Sequence, residues 1–155
     1  MDKIKETEVA SMVRFGRFEE ARKALALIAP EEVNAACGFL YDLGGCEENI
    51  CAYGFICYLI FKNESFELHE TASNILEASF SYLDGAYQGA YYHGSKMTEL
   101  KSTEDGYLRR YELSLYGVPS GGISDEEVHE TAQKKISFNP GDQFVLRILR
   151  ETSHL

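Results

Sequence analysis

Apolar residues recur at intervals of three and four along almost the whole chain, while strict apolar-polar alternation is hard to find. That period is the period of one face of a helix, so the pattern predicts an all-α protein. In and around ASNILEASFSYL the positions Leu68, Ala72, Ile75, Leu76, Ser79 and Leu83 make one stripe, and in DQFVLRILRE Val145, Ile148 and Leu149 make another. Start and stop signals divide the chain into about eight or nine helices of roughly 10 to 18 residues. Ser124 followed by Glu127 reads as a capping box, in which the hydroxyl and the carboxylate each satisfy an orphan amide at the start of a helix. Asp84 is placed to cap the next candidate helix in a similar way. VPSGG, from Val118 to Gly122, reads as a loop because proline and paired glycines do not continue a helix cheaply.

The stretch DGAYQGAYYHGSK, Asp84 to Lys96, has glycines, tyrosines and a histidine where the pattern asks for a helix. Wound at about 100° per residue, it places Ala86, Gly89, Ala90, His93, Gly94, Met97 and Leu100 on one arc. This arc is the expected core face, and its small residues let a second helix come close. Gly94 costs an isolated helix about 1 kcal/mol relative to alanine, which closer packing has to offset. Tyr87 and Tyr91 edge the arc, and Tyr92 falls with Gln88 and Glu99 on the polar side.

At 155 residues and 45% hydrophobic composition the chain is one domain's length and able to build a core. Its longest apolar run, ICAYGFICYLIF from Ile50 to Phe61, is too short for a membrane span, which needs about 20 residues. It reads as the central buried helix. Cys37, Cys46, Cys51 and Cys57 contain no C-x-x-C pair and have no histidine nearby in sequence. With no secretory signal at the charged N-terminus MDKIKETEVA, they are expected to act as small core residues in a reducing cytoplasm.

Acidic residues outnumber basic ones by 25 to 15, a net charge of −10. Such a field repels phosphate backbones and argues against direct nucleic-acid binding. The excess is concentrated between residues 63 and 130, which carry 13 acids and 4 bases. That segment is either a solvated face or a surface for a basic partner.

The string HETA occurs twice, at His69 to Ala72 and at His129 to Ala132. A zinc-protease motif needs a second histidine four residues after the first, and those positions are Ser73 and Gln133. No metal site or cofactor is expected. His93 has two readings, a hydrogen-bonded core residue or the centre of a pocket between helices in a small enzyme or ligand-binding protein. No nucleophile stands at matched spacing, since Ser95 falls on the opposite side of the helix. Phosphate loops, nucleophile elbows and dinucleotide fingerprints are absent from the sequence.

Helix junctions Ile28-Ala29-Pro30, Phe61-Lys62-Asn63, Leu100-Lys101-Ser102 and Phe138-Asn139-Pro140 have third residues 33, 39 and 38 apart. With Ala90, Gly94 and Ala132 inside helices and the sequence FNPGD, this spacing resembles tetratricopeptide-type repeats. It implies a right-handed α/α helical-repeat array forming a single domain, 1–155. Most units lack the aromatic and glycine signature of the first repeat helix. GAYQGAYYHGSKMTELKSTEDGYLRRYELSLYGVP and SDEEVHETAQKKISFNPGDQ, covering about Gly85 to Gln143, resemble the small immunity proteins of bacterial polymorphic and contact-dependent toxin systems. The resemblance implies a cytoplasmic, non-enzymatic protein that binds and occludes a cognate toxin domain, here a basic one. Tyr91, Tyr92, Glu99, Glu104, Asp105 and Glu112 are the residues expected at that interface.

Overall fold

In a computed structural model that describes residues 3–26, 33–45, 49–101 and 123–153, every regular element is helical. In chain order these are α1 (Lys3–Arg14), α2 (Phe18–Ala26), α3 (Val33–Gly45), α4 (Ile50–Lys62), α5 (Phe66–Ala78), α6 (Ala86–Leu100), α7 (Asp125–Ile136) and α8 (Gln143–Glu151). The all-α expectation holds across the described residues. Cys46 and the VPSGG loop lie outside them.

Side chains at the helix starts satisfy amides that the helix itself leaves without partners. Asn49 accepts from the Cys51 amide at the start of α4, and Ser65 accepts from the Leu68 amide at the start of α5. Asp142 accepts from both the Phe144 and Val145 amides and so opens α8. The capping box at α7 is complete: Ser124 accepts from the Glu127 amide at 3.2 Å, and Glu127 accepts from the Ser124 amide at 3.0 Å. Helix α6 starts differently from the sequence expectation. Its cap is Gly85, at φ +84°, and no side chain caps the helix. Asp84 therefore precedes the cap, because a left-handed residue at 85 turns the chain into the helix one position later.

Helices pack with their sequence neighbours as α1 with α2, α3 with α4, α5 with α6, and α7 with α8. Helix α5 also packs on α3 and α4, and α4 on α1 and α2. One core runs through α1 to α6, with Val13, Leu40, Phe55, Ile56, Ala72, Ile75 and Ala90 fully buried. Burying a side chain such as Phe55 or Ile75 contributes about 1.5 to 3 kcal/mol each. A smaller cluster of Val128, Ala132, Val145 and Ile148 joins α7 to α8, and Ile123 packs partly against both clusters.

The most extensive packing is between α5 and α6. Small residues make it possible: a Cβ built on Gly89 would stand 2.8 Å from Leu76 Cδ1. Ser73, buried in α5, donates to the Ala90 carbonyl of α6 at 2.8 Å. The glycine-alanine arc of α6 is thus the close-approach face expected of it, with Ala86, Ala90, His93, Gly94 and Met97 buried. Leu100, at the last turn, is exposed instead. Similarly, Leu68, Ala72, Ile75 and Leu76 are buried in α5, whereas Leu83 lies beyond the helix end and is exposed.

Helix α4 buries less of its apolar run than its composition implies. Ala52, Phe55 and Ile56 are buried, but Phe61 at the end of the helix is 83% exposed. An all-round apolar helix predicts burial on every side; among the described residues α1, α2, α3 and α5 pack along it, and α6 meets it at Tyr53. Cys37 is buried and Cys51 and Cys57 are half-buried, all as thiols. Burial raises the thiol pKa values of Cys37 and Cys57, which keeps both in the unreactive protonated form.

Candidate functional site

The polar residues that the fold draws together lie where α4, α5 and α6 meet. Tyr53 comes from the first turn of α4, His69 from the first turn of α5, and Tyr92 and His93 from the middle of α6. Glu64 is contributed by the short α4–α5 connection. His69 is completely buried and His93 is 3% exposed. Their Nδ1 atoms are 2.8 Å apart. The other ring nitrogen of His69, Nε2, lies 3.0 Å from the Glu64 carboxylate, and His93 Nε2 lies 3.2 Å from the Tyr53 hydroxyl.

These contacts fix the positions of the protons in the uncharged pair. A carboxylate only accepts, so His69 Nε2 carries its hydrogen and His69 Nδ1 presents a lone pair. His93 must then donate from Nδ1, which leaves its Nε2 to accept from the Tyr53 hydroxyl. The result is an unbroken run of donors, from Tyr53 through His93 and His69 to Glu64. A buried network with every member satisfied holds three helices in one register, whereas a half-satisfied one would destabilise them.

Electrostatics follow the geometry. Burial, and then the neighbouring His69, hold the His93 imidazole down at about 4. Tyr53 is raised, first by burial and then by its contact with the Cys57 thiol one turn along α4. Glu64 is exposed, so the network runs from the interior to the surface.

Tyr92 closes the network on the outside. Its ring meets His93 at 5.2 Å and His69 at 6.4 Å, both nearly edge to face, and yet it is 55% exposed. Lys96 and Glu99 follow Tyr92 by four and seven residues, which puts all three on one strip of α6. Lys96 pairs with Glu99 at 2.5 Å. The ammonium is stabilised first by Glu99, and Tyr92 and Glu64 add to its field.

Of the expected interface residues, Tyr92 and Glu99 are exposed on α6. Tyr91 is half-buried and packs against the main core. Glu104, Asp105 and Glu112 lie outside the described residues. The reading of His93 as a hydrogen-bonded core residue is met, because both ring nitrogens are engaged inside the protein. A pocket centred on His93 would need one of those contacts to open.

The partner of His93 was not anticipated from the sequence. The HETA string points to His69 only as a possible metal ligand, although Ala72, Ser73 and Leu76 follow it by three, four and seven residues and all are buried. That spacing places His69 on the core face, and two histidines on the core faces of successive helices are the signal for the pair.

The second HETA string is used in a comparable way. His129 Nδ1 lies 2.8 Å from the Thr152 hydroxyl, and its Nε2 lies 2.9 Å from the Gln133 amide nitrogen. Since Gln133 donates, His129 carries its hydrogen on Nδ1 and donates to Thr152, which donates in turn to the Ile148 carbonyl. Each HETA histidine therefore ties its helix to the next, bonding a residue 24 positions on in one case and 23 in the other. Leu68, Ala72 and Ile75 are buried at the positions that match buried Val128, Ala132 and Lys135. Among the described residues no group of three or more His, Cys, Asp or Glu side chains is arranged to hold a metal ion. None of their helices is long and apolar enough to cross a membrane.

The chain matches no protein-family model, no curated protein and no solved structure.

Proposed function

We propose that this chain is a protein-binding module, an immunity protein that binds and neutralises a cognate bacterial toxin domain with a basic surface. The observation that carries the proposal is Tyr92. An aromatic ring braced from below by two buried histidines, and still more than half exposed, loses little side-chain entropy when a partner covers it. Rigid, amphipathic tyrosines of this kind are frequent among the few residues that dominate an interface. Glu99 and Glu64 put negative charge beside it, and the net charge of −10 attracts a basic partner at long range. Lys96 partly neutralises Glu99, so the ring rather than that carboxylate is the expected anchor.

The architecture is read as a divergent, tetratricopeptide-like helical-repeat array in the cytoplasm. Support comes from the packed pairs α1–α2, α3–α4 and α5–α6, each of which closes at or just before one of the helix junctions noted in the sequence. Arrays of this kind offer extended surfaces to protein partners.

The test is to read the neighbouring genes for a secreted protein with a basic C-terminal domain, and to titrate that domain with the wild-type chain and with Tyr92→Ala. Neighbours that encode no such protein count against the proposal. A central anchor is worth about 2 kcal/mol or more, so affinity should fall roughly 30-fold in the variant with its melting temperature little changed. Equal affinity of the two chains would remove Tyr92 from the interface. Absence of binding by the wild-type chain would overturn the proposal itself.

A further inference from the structure

We infer that His69 and His93 form a proton-limited latch between α5 and α6, which closes with at most one proton added to the neutral pair and opens when a second is added. This concerns the chain by itself and does not rest on the partner reading.

The argument is a count of hydrogens on four ring nitrogens. With two, the pair is neutral and the run of donors from Tyr53 to Glu64 is complete. A third hydrogen can still be accommodated. His69 then carries a hydrogen on each nitrogen, one directed at Glu64 and one at His93 Nδ1; His93 moves its own hydrogen to Nε2 and donates to the Tyr53 oxygen. All the heavy-atom contacts survive, and the positive charge stands against a carboxylate. A fourth hydrogen cannot be placed. Both Nδ1 atoms would carry one across a 2.8 Å gap, and two cations would face each other in the interior.

Among the described residues no neighbouring group relieves that state. From α4 the pair faces the neutral hydroxyl of Tyr53, with the protonated Cys57 thiol behind it. The α4–α5 connection supplies Glu64, which touches His69 and not His93. From α6 come the neutral Tyr92 ring and, farther out, the cationic Lys96, which Glu99 neutralises. On the α3 side of α5 the titratable groups are Glu67 and Glu70, whose charges act on Cys37 of α3. The second proton therefore forces the rings apart. Since His93 sits midway along α6 with Tyr92 beside it, parting the rings unseats the Tyr92 surface from α5.

Acid should accordingly loosen this seam. An unfolded chain protonates His93 near the ordinary imidazole value of about 6.5, while the folded pair refuses that proton until about 4. Between those limits the unfolded state binds one more proton than the native state. Stability contributed by the latch is thus full above about pH 6.5, and the folding constant drops about tenfold per pH unit below it.

The experiment is a ring-nitrogen NMR titration of the unmodified 15N-labelled protein from about pH 8 to about pH 4. At the upper end the two rings should show opposite tautomers, hydrogen on Nε2 in His69 and on Nδ1 in His93. On acidification His93 should stay neutral through the range of an ordinary imidazole, and its eventual protonation should coincide with loss of the native Tyr92 signals. Two rings with the same tautomer, or protonation of His93 near pH 6.5 with the Tyr92 signals unchanged, would overturn the latch. Urea unfolding of His93→Gln across the same range adds a second readout. The amide can still donate to His69 but takes up no proton, so the acid-side slope should flatten by one proton. An unchanged slope contradicts the inference, and if the variant fails to fold, the titration of the unmodified chain decides alone.

Discussion

At the scale of single residues, the close junction of α5 and α6 depends on side chains that are unusually small or unusually placed. Gly85 is the clearest instance. Its φ of +84° lies in the left-handed region, where a Cβ costs about 1 to 2 kcal/mol. Gly85→Ala should therefore lower the unfolding free energy by about that amount, read as a shift of the urea midpoint at constant slope. No change in midpoint would place the turn elsewhere. His69 and His93 add to the polar contacts of this seam, and they add specificity as well as attraction: sliding α6 along α5 would separate two nitrogens that meet at 2.8 Å. Much of this was legible in the sequence. The wheel over 86–100 located the buried face of α6 and put His93 on it. The pairing with His69 was harder to read, because the repeated HETA string directs attention to metal chemistry and away from its register with Ala72, Ser73 and Leu76.

At the scale of elements, helix ends and helix pairs divide the work. Ser65, Ser124 and Asp142 each supply the amide partner that a helix cannot supply for itself. Asp142 does so for two amides at the start of α8, a helix whose buried contribution is only Val145 and Ile148. Asp142→Ala should thus cost about 1 kcal/mol and should do so in the α7–α8 pair, seen as faster hydrogen exchange of α8 amides with α5 and α6 unaffected. Equal acceleration throughout would mean that the two clusters unfold as one unit. The capping box at Ser124 was readable from four consecutive residues because its chemistry is local. The cap of α6 is Gly85 and not the expected Asp84 for the opposite reason: a left-handed glycine is chosen by where the preceding turn must point, which no local pattern records. Helix α4 shows the same limit at larger scale. Its apolar run fixes that it is buried somewhere, whereas the exposure of Phe61 follows from which helices pack over it.

At the scale of the whole molecule, the proposed surface for a basic partner rests on a net charge of −10 and a braced aromatic on α6. Charge of this kind acts chiefly on the rate of encounter, so association should slow several-fold as salt is raised from about 0.05 M to about 0.5 M, with dissociation much less affected. A salt-independent association rate would remove electrostatic steering from the account. The segment of strongest acidic excess includes Glu104, Asp105 and Glu112, which the described residues do not reach, so the sequence alone speaks for that half of the expected surface. The central claim, occlusion of a toxin domain, is tested most directly by expressing the basic C-terminal domain that the proposal expects a neighbouring gene to encode, and measuring its activity while the chain is titrated into it. Neutralisation predicts a linear loss of activity that is complete at an equimolar ratio. Full activity in the presence of excess folded chain would contradict it.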